Sequence, residues 1–464
     1  MYPVTTNRTE VQQMADFAAN ARLEQMSPEA LEQLKIRVLD TLGVAVGALD
    51  SDVLVAIRSL NDDLGGNGQA TLIGGGKTAA DLAAFHNSAA SRYLDFMDAY
   101  LAKGETNHPS DNMGAVLAAA EVAGASGRDF LTAFAVAYQI HTRLSDVAPV
   151  RALGFDHTTQ GAFAAGASAA LALGLDADAI ANAAAMTATA NVALRVTRTG
   201  NLSHWKGLAY PHTSKEGMFY ALLAGKGITG PEAVFEGNKG FKALAGDYEL
   251  DWSKEDLESV TRTIIKKYNA EIHSQSALEA ALELKGKHDF DPADIKEVRL
   301  TTFDVAYSII GGGEEGDKRS IRTKEEADHS LPWMLAVTIL DGELNPAQYE
   351  PERIVADDVQ TLMGKVTITP SDEFSDRFPN EMPADLVIVM NDGTEYHAVE
   401  SAYDGFHSQP LDWDGAVAKF TALAEPFTDE ALRTEICETV HRLDEVAEIS
   451  ELTDLLARVS TTRS

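Results

Sequence analysis

The spacing of hydrophobic residues divides the chain into a long helical part and a shorter mixed part. From about residue 9 to about residue 240, apolar residues recur three and four positions apart, as on one face of a helix. One helix is predicted to begin at Ser27-Pro28-Glu29, where a capping serine, a proline and an acidic residue favour a helix start. Further helices are predicted over residues 79–101, 113–125, 129–145, 161–173, 176–190 and 212–225.

The pattern changes near residue 260. Segments that alternate in polarity or are rich in β-branched residues favour strands over 297–309, 365–369 and 386–390. Asn391-Asp392-Gly393 is a hairpin turn signal, and residues 395–399 form the strand that would return from it. Helical spacing reappears at 277–284, 329–340 and 416–459.

These patterns predict a mainly α fold with two domains. A large all-helical domain, discontinuous in sequence, is predicted over residues 1–265 and 405–464. A smaller α+β lid domain is predicted as an insertion over residues 266–404. The length of 464 residues fits this division, since domains average roughly 150 residues.

Composition and charge narrow the class of protein. The chain has 71 Asp and Glu against 38 Lys and Arg, a formal net charge of −33, and 45% hydrophobic residues. The apolar residues are enough for a real core, and the negative charge argues against a nucleic acid or an anionic membrane as partner. The acidity also suits a protein that works at high salt, where counterions screen repulsion.

Cysteine content and apolar segments limit the compartment and the metal chemistry. Cys437 is the only cysteine, which excludes an intrachain disulfide and an all-cysteine zinc or iron–sulfur site. The N-terminal sequence lacks the positive and apolar segments of a signal peptide. The longest apolar stretch, 161–175, is shorter than the roughly 20 residues that span a bilayer. We therefore expect a cytoplasmic protein without a membrane partner.

Several familiar sequence motifs are incomplete or missing in this sequence. Gly74-Gly75-Gly76-Lys77-Thr78 resembles part of a phosphate-binding loop, but position 71 is threonine where that motif needs glycine. No βαβ pattern surrounds these glycines, so we interpret them as a plain turn before a helix. The motifs of metalloproteases and α/β-hydrolases are missing, and His and Asp lack metal-ligand spacing, so no metal site is predicted.

Polar residues near predicted helices are the first candidates for chemistry. Asp95 and Asp98 are three residues apart on a predicted helix among aromatic and apolar neighbours, where partial burial would raise the pKa of a carboxylate. The segments 107–112, with His108, and 154–161, with His157, each precede an apolar helix.

Each of these segments also has a structural interpretation. The two aspartates fit a solvated helix face, and His108 fits a surface imidazole. Ser110 or Asp111 would cap one of the following helices, and Asp156 or Thr158 the other.

Two further segments concentrate positive charge. Residues 195–212 contain two arginines, a lysine and two histidines, enough to neutralise a di- or tricarboxylate through charge-assisted hydrogen bonds. Residues 266–276 lie at the predicted junction of the domains, where pockets are common.

In this order, the segments resemble the MmgE/PrpD family, and within it the enzymes that dehydrate 2-methylcitrate. The matching motifs are Leu94-Asp95-Phe96 with Asp98, His108-Pro109-Ser110-Asp111-Asn112, Ser203-His204-Trp205-Lys206, Asn269-Ala270-Glu271 with His273-Ser274-Gln275-Ser276, and TKEEADHSLP at 323–332. The likeness extends from about residue 10 to about residue 450. It implies a helical domain with an α+β lid, usually in a homodimer, no metal or organic cofactor, and a role in propionate catabolism.

The resemblance also implies an active cleft between the two domains. Its catalytic residues would be Asp95, His108, His157, Lys206, Lys267 and Tyr307, and its substrate-binding residues Arg198, His212 and His273. Histidines have the titration range for proton transfer, an aspartate can orient them or act as base, and the lysines and the tyrosine would bind carboxylates.

Two alternatives concern these positions. The family has a functional lysine at this point of the sequence, and Lys266 matches it as an alternative to the adjacent Lys267. Asp328 and His329 match a family motif, and their alternative role is to cap the following helix.

The expected reaction is reversible removal of water from 2-methylcitrate, with citrate as a further candidate, to give an alkene of the cis-aconitate type. Decarboxylation of such an alkene, or epimerisation next to a carboxylate, would need the same handling of protons. A non-catalytic, metabolite-binding helical assembly is an alternative from another class, and it would explain the basic segment but not the paired titratable groups. The expected partners are a small tricarboxylate and a second copy of the chain.

Overall fold

The computed structural model describes residues 8–463, which fall into two compact units. The helical unit comprises the described residues up to 195, residues 207–263, and those from 412 onward. The α+β unit comprises residues 196–206 and 264–411. The prediction of a mainly α fold is confirmed. The predicted domain boundaries stay a prediction; they did not anticipate that 196–206 groups with the α+β unit.

The elements follow in chain order. The helices are α1 (Glu10–Asn20), α2 (Pro28–Gly47), α3 (Asp52–Leu64), α4 (Ala80–Tyr93), α5 (Met113–Ala123), α6 (Gly127–Val147), α7 (Thr158–Ala172), α8 (Ala177–Ala190), α9 (Trp205–Ala224), α10 (Phe241–Ala245), α11 (Gln275–Lys287), α12 (Asp304–Ile310), α13 (Lys324–Ala327), α14 (Leu331–Asp341), α15 (Pro351–Ile354), α16 (Asp357–Met363), α17 (Asp372–Arg377), α18 (Trp413–Ala424), α19 (Glu430–His441) and α20 (Ser450–Leu456). The strands are β1 (Ala70–Thr71), β2 (Lys77–Thr78), β3 (Asp98–Ala102), β4 (Glu105–Asn107), β5 (Ile264–Ile265), β6 (Ile295–Thr302), β7 (Val366–Pro370), β8 (Ala384–Met390) and β9 (Glu395–Glu400).

Small residues let the helices of the helical unit pack closely. Helix α7 contacts α5, α6 and α8, and α2 contacts α4 and α18. A Cβ atom added at Gly166 on α7 would lie 2.5 Å from Thr187 Oγ1 and 2.8 Å from the carbonyl oxygen of Ala183, both on α8. Because real Cβ atoms are not found so close to such atoms, this helix pair depends on a glycine at the crossing.

Two small hairpins interrupt the unit that was predicted to be all-helical. Strands β3 and β4 pair in antiparallel, with Tyr100 opposite Asn107. The predicted helix 79–101 instead ends at Tyr93, and Asp95 has a left-handed backbone with φ of 55°. Asp95 and Asp98 therefore do not share a helical face; the helical spacing of apolar residues concealed the Lys103-Gly104 turn.

The glycine-rich segment forms the other hairpin, β1–β2, directly before α4. Gly74, Gly75 and Gly76 all have positive φ, between 88° and 93°. The Arg58 guanidinium donates hydrogen bonds to the carbonyl oxygens of Ile73, Gly74 and Gly75. The interpretation as a turn before a helix is correct.

The α+β unit is built on a four-stranded sheet. Its strand order is β7-β6-β8-β9, with β6 and β7 parallel and the other pairs antiparallel. Helix α11 contacts β8, β9 and α14, and α14 contacts α16. The turn predicted at Asn391-Asp392-Gly393 joins β8 to β9, with Gly393 at φ of 89°.

One predicted strand in this unit was too long. Strand β6 ends at Thr302, and helix α12 follows within the segment 297–309 that was predicted as a strand. The reason lies in the spacing of the buried residues Ala306, Ile309 and Ile310, which are three and four apart and define one face of a helix.

The described residues bear on the membrane expectation in one respect. No helix among them is both long and apolar enough to cross a bilayer. Residues 1–7 of the N-terminal sequence examined for a signal peptide lie outside the described residues.

Candidate functional site

Three histidines meet in the helical unit. We call His108, His141 and His157, with Tyr210, the histidine cluster; all four are buried. The rings of His108 and His157 are edge to face with centroids 5.6 Å apart. His141 stacks on His157 at 5.9 Å and on Tyr210 at 5.6 Å. Burial lowers the pKa of His141 to about 3, so this imidazole is neutral at physiological pH.

Strand β3 fixes the orientation of His108. The Nδ1 atom of His108 lies 2.7 Å from the carbonyl oxygen of Asp98, which makes Nδ1 the protonated nitrogen and turns Nε2 away from this bond. The Asp98 carboxylate accepts hydrogen bonds from the backbone N–H of Ser110 and from the Tyr138 hydroxyl. Burial raises the pKa of Asp98, although those hydrogen bonds oppose the shift.

A lysine from the C-terminal part of the chain binds the backbone between Asp95 and Asp98. Lys419 on α18 donates to the carbonyl oxygen of Phe96 at 2.7 Å and pairs with Asp40 at 2.7 Å. Its ammonium also lies 3.9 Å from the centroid of the Phe96 ring. The backbone between Asp95 and Asp98 is thus held by a buried ion pair.

Neither Ser110 nor Asp111 is the residue that directly precedes α5, although one of them was expected to cap that helix. The residue before α5 is Asn112, whose side chain does not cap the helix. Asp111 instead lies 3.8 Å from Arg92, which also pairs with Asp95. These buried aspartates therefore neutralise an arginine, a role that a local sequence pattern does not reveal.

His157 directly precedes α7. Its Nε2 lies 3.6 Å from Asp156, and the Asp156 carboxylate accepts the backbone N–H of Thr158. Gly161, one turn into α7, leaves room for Tyr210, because a Cβ there would lie 2.5 Å from the Tyr210 ring. The Tyr210 hydroxyl donates a hydrogen bond to the side-chain oxygen of Asn112, which fixes the position of the Tyr210 ring.

A second cluster lies in the α+β unit. We call Lys206, Lys266, Lys318 and Lys324, with Asp328, Glu271, His273 and His329, the lysine cluster. At its centre Asp328 accepts from Lys206 at 2.6 Å, from Lys324 at 2.6 Å and from His329 at 2.7 Å. Burial opposes ionisation of Asp328, but the three cationic partners outweigh it and hold its pKa well below the usual range.

The local sequence explains why Asp328 and His329 lie at this point. Thr323 and Glu326 form a capping box for α13, and Ser330 caps α14 by accepting the N–H of Trp333. Asp328 and His329 occupy the link between the two helices. They therefore do not cap α14, and both point to neighbours in the cluster.

Glu271 and His273 form a carboxylate–imidazole pair. His273 Nδ1 lies 2.7 Å from one oxygen of Glu271, and the other oxygen accepts the His273 backbone N–H. Burial opposes ionisation of Glu271, but His273, His329 and Lys266 together outweigh it and lower the pKa of Glu271 to about 2. Within the described residues, His273 Nε2 has no hydrogen-bond partner, as expected of a group that can exchange a proton with a ligand.

The two adjacent lysines have different surroundings. Lys266 is 1% exposed, and its charge helps to lower the pKa of Glu271. Lys267 is 32% exposed at its side chain and pairs with Glu279 and Asp404. Gln275 fixes the loop by accepting the N–H groups of Lys267 and Tyr268. The predicted residue, Lys267, therefore contacts surface carboxylates instead of the acids of the lysine cluster.

The remaining predicted residues differ in their burial. Arg198 is buried in a 3-10 turn of the α+β unit, and His212 is exposed on α9. Tyr307 is partly exposed on α12, and no hydrogen bond joins it to the lysine cluster among the residues that the structure describes.

Several residues of the two clusters were not predicted. Asp98, which supports His108, was named only with Asp95 and in a family motif. Glu271 and Lys324 were named only within motifs, and His141 and Lys318 were not singled out. Glu271 had a detectable signal, since a carboxylate two residues before a histidine can orient that histidine. Lys318 had none, because nothing in the local sequence distinguishes a buried lysine from an exposed one.

Two family models together match most of the chain. The model of the MmgE/PrpD N-terminal domain matches residues 12–253, and that of the MmgE/PrpD C-terminal domain matches residues 268–445. The chain belongs to the MmgE/PrpD family, which confirms the resemblance seen in the motifs.

Individual relatives narrow the class of enzyme. A 2-methylcitrate dehydratase of Cupriavidus necator is 28% identical, over 70% of this chain and 71% of the relative. The mitochondrial 2-methylcitrate dehydratase of Yarrowia lipolytica is 27% identical, over 86% and 80%. A cis-aconitate decarboxylase of Mus musculus is 23% identical, over 94% and 91%. The prediction of an enzyme of the hydro-lyase class is confirmed.

Asp98 binds His108 through its backbone carbonyl oxygen, and its carboxylate accepts a hydrogen bond from Tyr138, which gives a testable prediction. We expect Tyr138→Phe to lower the free energy of unfolding by about 1–3 kcal/mol at pH 7, because it removes a donor from a buried carboxylate. The loss of this donor raises the pKa of Asp98 further. The destabilisation should therefore shrink as the pH falls and Asp98 takes up a proton in the folded state.

Tyr100→Phe is the matched control, to be compared by urea denaturation at several pH values. The Tyr100 hydroxyl donates to Asp146, a partly exposed carboxylate that also pairs with Arg143 and Arg262. We expect a loss below about 1 kcal/mol for this variant. Equal losses for the two variants at every pH would contradict the role given to Tyr138.

Proposed function

We propose that this enzyme removes water from 2-methylcitrate or a closely related tricarboxylate such as citrate, giving an alkene of the cis-aconitate type. The observation that carries the proposal is the lysine cluster, which holds three buried lysines and the partly buried Lys324 around Asp328 and Glu271 in a chain with a net charge of −33. Burying ammonium groups is unfavourable unless anions neutralise them. A polycarboxylate substrate would supply the missing negative charge.

The chemistry requires two proton movements. One group must take the weakly acidic C–H proton next to a carboxylate, and another must protonate the departing hydroxyl, so that water leaves and a C=C bond forms. We assign proton transfer to imidazoles, with His108, His157 and His273 as the candidates. We assign stabilisation of the carboxylate charge to Lys206 and Lys266.

Three further expectations are part of the proposal. Asp95 remains a candidate through its ion pair with Arg92 in the helical unit. The family resemblance supports a homodimer in the cytoplasm that serves propionate catabolism. Lys267 and Tyr307 have less support as catalytic residues, because their contacts are with other partners.

A second candidate function is decarboxylation of a cis-aconitate-type acid. The similarity to a cis-aconitate decarboxylase over 94% of this chain favours it. Both reactions place negative charge next to a carboxylate, so the same cluster of lysines would serve either one.

The direct experiment incubates purified, EDTA-treated protein with 2-methylcitrate, citrate and cis-aconitate, and follows the products by NMR. From 2-methylcitrate we expect conjugated-alkene absorbance and the change of the methyl doublet into an allylic methyl signal, because the methyl-bearing carbon loses its only hydrogen. Loss of carbon dioxide from cis-aconitate, without hydration or dehydration, would replace the dehydratase by the decarboxylase. No change in any of the three acids would contradict both.

The adjacent lysines provide a matched pair of variants. We expect Lys266→Met to lower kcat/KM for 2-methylcitrate roughly tenfold to hundredfold, which corresponds to the loss of one charge-assisted hydrogen bond. Lys267→Met should stay within a few-fold of the wild type, because it removes only partly exposed ion pairs. The opposite ranking would show that Lys267 is the functional residue.

A further inference from the structure

Lys318 differs from its neighbours in the lysine cluster. The residue is only 6% exposed. Its ammonium donates no hydrogen bond and lies within ion-pair distance of no carboxylate among residues 8–463. The loop that carries it is tied down through its backbone, because the Ser330 hydroxyl donates to the Lys318 carbonyl oxygen.

The acids near Lys318 are occupied by other groups. Asp328 already binds Lys206, Lys324 and His329. Both oxygens of Glu271 accept from His273. The remaining acid that acts on the charge of Lys318 is Glu315, which is not within ion-pair distance of it. The protein therefore leaves the ammonium of one largely buried lysine without a counterion in direct contact.

Such an arrangement is unfavourable for the protein alone. A buried lysine without a partner ordinarily loses stability or its proton, and burial does lower the pKa of Lys318. The charge of nearby Lys206 acts in the same direction. An anionic ligand would provide the interaction that the protein does not supply.

We infer that Lys318 is a substrate-binding residue whose ammonium pairs with a carboxylate of the bound polycarboxylate. This inference rests on the proposed function for the nature of the ligand and adds a residue that neither the motifs nor the relatives' names indicate. Lys318 acts in binding, as a partner for a carboxylate that does not itself react. It therefore contributes to affinity and to the preference for polycarboxylates.

The test measures binding of a ligand that cannot react. Tricarballylate (propane-1,2,3-tricarboxylate) has three carboxylates but no hydroxyl to eliminate, and its binding can be followed by calorimetry. We expect Lys318→Met to weaken tricarballylate binding tenfold or more. In the absence of ligand, the same variant should melt at the same or a higher temperature than the wild type, because it removes an uncompensated buried charge.

Lys285→Met is the matched control in the same unit. Lys285 is partly buried but well satisfied, since it donates to the carbonyl oxygens of Ile339 and Leu340 at the end of α14. This variant should melt at a lower temperature and bind tricarballylate as the wild type does. Lys318→Met is thus expected to weaken binding without loss of stability, and Lys285→Met to lose stability without weaker binding.

The pH dependence adds an independent measurement. Because the pKa of Lys318 is lowered, wild-type affinity should fall at a pH below that at which an ordinary lysine loses its proton. Lys318→Arg keeps its charge at high pH and should retain binding there. Loss of affinity in Lys318→Arg together with the wild type would contradict the assignment.

The outcomes separate this inference from the proposed function. If Lys318→Met binds tricarballylate like the wild type, or if the wild type does not bind it, the inference is wrong. Dehydration of 2-methylcitrate by the wild type would still uphold the proposed function in either case. Binding that depends on Lys318, without turnover of 2-methylcitrate, would uphold the inference and reject the proposed reaction.

Discussion

The shared carboxylate of Asp328 is the interaction on which the α+β unit depends. It is fully buried and has Lys206, Lys324 and His329 within 2.7 Å. Without it two ammonium groups would be left in the interior, and breaking a buried pair typically costs about 3–5 kcal/mol. Because Asp328 already binds these three partners, it does not pair with Lys318, and Lys318 can pair with a ligand.

The helical unit also contains buried carboxylates that need partners. Asp98 and Asp40 are buried carboxylates, and each is held by a donor from a distant part of the chain, Tyr138 in one case and Lys419 in the other. Together they fix the backbone that positions His108. In both units, then, a residue with a buried carboxylate also binds an imidazole and orients it. Asp98 binds His108 through its backbone carbonyl oxygen, and Asp328 binds His329 through its carboxylate.

The sequence predicted the features that depend on short-range patterns. The mainly α fold, the cap at Ser27 and the hairpin at Asn391-Asp392-Gly393 follow from spacing and turn chemistry. The family motifs also led to His108, His157 and Lys206, which the structure places among buried titratable groups.

Other features could not be predicted because they depend on long-range contacts. Lys206 and Asp328 are 122 residues apart in the chain. Lys266 and Lys267 have the same local sequence environment, and only the tertiary fold buries the first and leaves the second at the surface. The end of α4 at Tyr93 was missed because residues 94–101 keep an apolar spacing that fits a helix as well as a buried strand.

The most direct test of the central claim is a crystal structure of the protein with tricarballylate bound. We expect a ligand carboxylate oxygen about 3 Å from the ammonium group of Lys318, with Asp328 still paired to Lys324 and His329. A ligand bound away from Lys318, with the lysine cluster unchanged, would contradict this claim.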